Sequence, residues 1–115
     1  MPDGWRERFE AEREALNRIV LDRGTLEIKR FFALDQQAYQ AGALAAGTKE
    51  LIGLAASLVL RCDDCIAYHI ARCVDEGARR EEIYETFTIA LVVGGSIVIP
   101  HLRRAAEKVE ELCGE

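Results

Sequence analysis

Residues 51–60 read Leu-Ile-Gly-Leu-Ala-Ala-Ser-Leu-Val-Leu, and no other stretch constrains the fold so tightly. The run carries no charge. It is rich in Leu and Ala, which are strong helix formers, and it is longer than most buried strands. The pattern predicts a helix that starts near Thr48 and ends near Arg61. Because Leu51, Ile52, Leu54, Ala55, Ala56, Leu58, Val59 and Leu60 leave almost no polar face, this helix is expected to be buried all round. A chain of 115 residues has limited room to surround it. Some apolar surface is therefore expected to be shared with neighbouring subunits.

The rest of the chain is helical in period, and no segment alternates at strand period over a useful length. A first helix is expected over 3–22, packed through Trp5, Phe9, Leu16, Ile19 and Val20. Gly24 closes it and Thr25 caps a second, which runs to about 40 with Ile28, Phe31, Phe32 and Tyr39 facing inward. A fourth opens at Cys62–Cys65 and stops at Gly77. A fifth covers 80–93 and ends at the Gly94–Gly95 pair. The last starts at Ser96 or Pro100 and ends at Gly114. The expectation is an all-α, single-domain bundle of about six helices over residues 1–115.

A net charge of −5, with basic residues interleaved among acids, argues against nucleic acid or an anionic membrane as partner. Residues 1–23 are dense in both signs of charge, unlike a secretory signal. The apolar stretch 89–100 is interrupted by Gly94, Gly95 and Ser96 and is too short to span a bilayer. A cytoplasmic location is expected. In that compartment the four cysteines, Cys62, Cys65, Cys73 and Cys113, read as reduced thiols with a catalytic, redox or metal role rather than as two structural disulfides.

Cys62-Asp63-Asp64-Cys65-Ile66-Ala67-Tyr68-His69 is the run that carries chemistry. Side chains three or four apart share a helix face, so Cys62 neighbours Cys65 and Cys65 neighbours His69. Two thiols so placed can close a disulfide and reopen it. The opening turn of a helix favours a thiolate, and His69 can exchange a proton with Cys65. Asp63 and Asp64 suit a helix start but oppose a thiolate, and the sequence leaves their net effect unsigned. Cys62, Cys65, His69 and Cys73 also fall on one stripe that resembles a ligand set for zinc. Eleven residues of helix nevertheless span roughly 16 Å, so two or three of them at most could share an ion, with Glu50 or His101 completing it. No metal and no cofactor is therefore assigned. Cys73 reads as a small core residue, out of reach of Cys65 along the helix. Glu50 opens the apolar helix. It is either a solvated first-turn acid or, if it borders the thiols, a desolvated carboxyl able to exchange protons.

Glu50, eleven residues, then Cys62-x-x-Cys65-x-x-x-His69 matches the pattern E-x11-C-x-x-C-x3-H. This resembles the alkylhydroperoxidase D-like branch of the carboxymuconolactone decarboxylase superfamily. The likeness runs over about 33–107, the expected core, with residues 1–32 as a helical extension. Glu76-Gly77-Ala78 and the Gly94-Gly95 break support it. The resemblance implies an all-α fold assembled as a homotrimer or homohexamer. It also implies a peroxidase or disulfide reductase in antioxidant defence, cycling Cys62 and Cys65 between dithiol and disulfide. By position, Cys65 matches the cysteine oxidised to sulfenic acid, Cys62 its disulfide-forming and proton-donating partner, and Glu50 and His69 the relay that activates the thiol. The partners implied are a peroxide or disulfide substrate and a thiol reductant or redox partner protein. Two other readings stand beside this one. One is a decarboxylase-like enzyme acting on a small molecule, with the thiols as relics. The other is a non-enzymatic redox sensor or metal-stabilised oligomer.

Overall fold

A computed structural model describes residues 4–114, in which every regular element is helical. The order is α1 (Trp5–Arg23), α2 (Leu26–Ala38), α3 (Ala46–Leu60), α4 (Asp63–Asp75), α5 (Arg80–Gly94), a short 3-10 turn (Ser96–Val98) and α6 (Ile99–Cys113). The all-α expectation holds. Asp3, the expected start of the first helix, lies outside the described residues. The chain divides into two compact units at Gly42 and Ala43, so residue 33, the expected start of the core, falls inside α2.

The first unit holds α1 and α2. Thr25 caps α2, its hydroxyl accepting the N–H of Ile28 at 3.3 Å. The expected packing of these helices is only partly realised. Trp5 is buried, whereas Leu16, Ile19, Val20, Ile28 and Phe31 are exposed and α2 buries no residue. Two helices can cover one stripe on each other at most, and this single chain leaves the remaining apolar surface open.

The second unit contains every candidate site residue. In it α3 packs against α4 and α5, and α4 packs against α6. Leu54 and Leu58 of α3 meet a core that includes Ile66 and Ile70 of α4, Ile83 and Phe87 of α5, and Val109 of α6. Within a single copy, α3 is covered along one stripe only. Its buried residues are Glu50, Gly53, Leu54, Ser57 and Leu58, one stripe at helical spacing. Ile52 and Leu60 face outward, 53% and 76% exposed. An apolar composition names a helix that could be covered on every side; packing within one copy covers one.

The turn into α4 is built by backbone hydrogen bonds. Arg61 adopts the left-handed conformation (φ 60°, ψ 43°), donates its N–H to Leu58 O, and is followed by Cys62 N–H on Ser57 O. For a residue with a Cβ this conformation costs about 1–2 kcal/mol, offset by the carbonyls it satisfies. It turns the chain sharply, so Cys62 becomes the N-cap of α4. At the far end of α5, a Cβ on Gly94 would meet Val98 Cγ2 at 2.5 Å and Val59 Cγ2 at 3.6 Å, which explains why glycine stands where α5, α3 and the 3-10 turn converge.

Leu54 is fully buried in the α3 stripe. Leu54→Ala is expected to lower stability by about 2–5 kcal/mol, measured by urea unfolding. A loss below about 1 kcal/mol would contradict the assignment of this stripe to the core.

Candidate active site

Two helices bring the candidate residues together. Glu50 lies in the buried stripe of α3, and His69 faces it from α4. His69 Nδ1 lies 2.9 Å from Glu50 Oε1, with both side chains less than a tenth exposed. Of the two readings of Glu50, the solvated first-turn acid is therefore excluded. Where the Glu50 carboxylate is ionised it can only accept, so in that state Nδ1 is the donor of this bond. Proton exchange by the ring then falls to Nε2. Tyr68 packs edge-on against the imidazole, ring centres 5.2 Å apart, and helps fix its plane.

The two cysteines sit at the start of α4, Cys62 as its N-cap and Cys65 in its first turn. Cys62 Sγ acts as the helix cap, accepting the N–H of Cys65 at 3.2 Å. Cys62 is half-buried at the elbow, and Cys65 is exposed one turn on. The Cys65 thiol is pushed up to about 11 by its hydrogen bond to Cys62, then by burial, by charge on Cys62 and by the charge of Asp64, against a smaller lowering from a backbone N–H. At rest, Cys65 therefore holds its proton. This signs the balance that the sequence left open between the helix start, which favours a thiolate, and the neighbouring acids, which oppose it. The dipole favours the anion, but the paired sulfur and Asp64 outweigh it.

Cys73 stays out of this chemistry. It is fully buried in α4, and burial, with the charge of Glu50 second, pushes its thiol up to about 12. Cys113 closes α6 at the far end of the sequence. Among the described residues, no three His, Cys, Asp or Glu side chains converge as a metal site would require.

The sequence left Asp63 and Asp64 unsigned, and packing separates them. Asp63 Oδ1 lies 2.7 Å from His101 Nδ1 and Oδ2 lies 3.1 Å from Arg104 Nε, so two donors of α6 converge on one carboxylate. Burial would raise the Asp63 carboxyl, yet hydrogen bonds and charge from His101 and Arg104 hold it below the usual carboxylate value. Arg104 also lies 3.2 Å from His101 Nδ1. With that nitrogen donating to Asp63, this is a contact of two donors and not a hydrogen bond. Asp64 instead acts on Cys65. His101 and Arg104 carried one signal in sequence, their spacing of three on the last helix, but nothing in the sequence said which helix they would face.

Residues 28–108 match the carboxymuconolactone decarboxylase family. The chain belongs to this family. A Thermotoga maritima protein, TM1620, is 63% identical, with a TM-score of 0.91 over 92% of this chain and 93% of its own. A second crystal structure of TM1620, also 63% identical, has a TM-score of 0.88 over 91% and 89% of the two chains; it describes a carboxymuconolactone decarboxylase family protein with a suggested involvement in antioxidative response. The Legionella pneumophila family member lpg0406, in its apo form, is 29% identical with a TM-score of 0.84 over 94% of this chain and 96% of its own. An uncharacterised protein of the cox locus of Paracoccus denitrificans is 32% identical over 84 residues, 73% of this chain and 76% of its own. No helix among the described residues is long and apolar enough to cross a membrane.

In the reduced family member, alkylation by iodoacetamide at Cys65, located by mass spectrometry, should climb close to tenfold per pH unit between pH 7 and 9. It should level off only near pH 11, where its thiol titrates. Below that pH the thiol form dominates, so the reactive fraction grows as protons leave. A plateau below pH 8 would contradict the raised thiol.

Proposed function

We propose that this protein is a thiol-dependent oxidoreductase that reduces a peroxide or a disulfide, cycling Cys62 and Cys65 between dithiol and disulfide. The observation that carries this reading is the buried hydrogen bond between Glu50 of α3 and His69 of α4, the helix whose N-cap Cys62 takes the backbone N–H of Cys65 on its sulfur. Family membership and the suggested antioxidative involvement of the Thermotoga maritima relative support it.

Cys65 is the exposed sulfur, so it meets the substrate, but it holds its proton at rest. Attack on a peroxide therefore needs that proton to leave as the S–O bond forms. Nε2 of His69, oriented through Nδ1 by Glu50, accepts it. The O–O bond breaks, its two electrons come from the Cys65 sulfur, and the leaving oxygen takes a proton from the relay. The products are an alcohol and a sulfenic acid on Cys65. Cys62 then attacks that sulfur, closing the disulfide and releasing water. An external dithiol restores the pair by exchange, becoming a disulfide itself. With a disulfide substrate, the protein's two thiols are oxidised and two substrate thiols leave.

The N–H of Cys65 on Cys62 Sγ favours a second order, in which Cys62 attacks first. Dimedone-type trapping separates the two. A peroxide should label Cys65 in Cys62→Ser, while Cys65→Ser should not label at a useful rate. Labelling at Cys62 in Cys65→Ser would reverse the roles. Glu50→Gln and His69→Ala should each slow oxidation by about 10²–10⁴-fold with helix content unchanged by circular dichroism. Losses under about threefold would make both residues bystanders.

The exposed faces of α3 and α5, including Ile52, Leu60, Ile89, Val92 and Val93, are the surface we propose is covered in a homotrimer or homohexamer. Light scattering at micromolar concentration should give three or six times the 12.8 kDa chain mass. A stable monomer would overturn that assembly.

A further inference from the structure

The relay leaves one titratable cluster beside the thiols unused. Asp63 is the first residue of α4 and lies between the two cysteines in sequence. Its carboxylate is held on both oxygens from one turn of α6, by His101 at 2.7 Å and Arg104 at 3.1 Å. The guanidinium also approaches through its terminal nitrogen, 3.1 Å from Oδ2. Asp64, the next residue, acts on Cys65 and pushes its thiol up. Two carboxylates in the same turn thus meet different fates.

We propose that Asp63, His101 and Arg104 are positioning residues that set the reduction potential of the Cys62–Cys65 pair. Arg104 and His101 offset one of the two negative charges that the Asp-Asp turn places beside the sulfurs. They also tie the redox-active turn to α6. The inference rests on the dithiol–disulfide reading above.

The sign follows from linkage. Oxidation joins the two Sγ atoms and removes two electrons and two protons, so any thiolate present belongs to the reduced state alone. A charge that favours the thiolate stabilises the dithiol and raises the potential, and a charge that opposes it lowers the potential. Removing Arg104 leaves Asp63 unopposed beside the sulfurs. Removing the charge of Asp63 leaves Arg104 unopposed. The two substitutions break the same α4–α6 link but must move the potential in opposite directions. A purely structural role would move both the same way, through the loosened turn. Asp63 and Arg104 are each about half exposed, so solvent screens the effect to a few-fold.

The test equilibrates the full-length protein with dithiothreitol buffers of stated ratio at pH 10.5, close to where the Cys65 thiol titrates, and counts its free thiols. Oxidised dithiothreitol takes the two electrons and two protons and opens to its dithiol. Arg104→Gln should raise the equilibrium constant for disulfide formation about threefold, and Asp63→Asn should lower it about threefold. Each corresponds to a shift of roughly 14 mV for this two-electron couple. Raising the salt to about 1 M, where screening acts within about 3 Å, should shrink the split. Shifts in the same direction, or none in either variant, would overturn the proposal while leaving the redox reading intact. Failure of the unsubstituted protein to form a Cys62–Cys65 disulfide would overturn the redox reading itself, and this inference with it.

Discussion

The hydrogen bond between His69 Nδ1 and Glu50 Oε1 is the constraint around which the second unit is organised. Burying a carboxyl and an imidazole together costs desolvation that their mutual attraction only partly offsets. A buried pair is therefore weak evidence for stability taken alone. This one joins the stripe of α3 that also contributes Leu54 and Leu58 to the face of α4 that contributes Ile66 and Ile70. Gly53 and Ser57, the small members of the α3 stripe, lie in that same buried row, and Ser57 satisfies its hydroxyl on Gly53 O at 2.7 Å. The bond fixes the imidazole, and the helix that carries the imidazole carries the thiols at its start.

Thiol chemistry here is governed by proton possession more than by a permanent thiolate. Cys65 is reachable but protonated, Cys62 is half-buried and receives donors, and Cys73 is sealed and inert. Such an arrangement spares the exposed sulfur from indiscriminate alkylation and oxidation, because thiolate character governs both. On the proposed reading, reactivity is conferred by a substrate whose leaving group can accept the relayed proton, a condition that a peroxide or a disulfide meets.

Much of this was legible in the sequence, and the failures have physical causes. Helix starts and stops followed from Thr25, Gly77 and Pro100, whose local chemistry decides backbone geometry without tertiary help. The spacing from Glu50 to His69 also carried the site, because it equals the rest of one helix, one left-handed turn at Arg61 and two turns of the next. What composition could not tell was which apolar faces a single copy covers. The outward Ile52 and Leu60, and the open stripes of α1 and α2, look in sequence like core. Nor could it sign Asp63 against Asp64. That distinction comes from His101 and Arg104, 38 and 41 residues on, and depends on how α6 lies against α4.

The account stands on the claim that Cys62 and Cys65 form one reversible redox couple while Cys73 and Cys113 do not take part. Free thiols are counted before and after one equivalent of hydrogen peroxide, with and without a chelator, and peptide mass spectrometry locates the link. The account predicts that two of the four thiols disappear, chelator or not, that the link joins Cys62 to Cys65, and that dithiothreitol restores both. Retention of all four thiols, or a dominant link between Cys73 and Cys113, would contradict it.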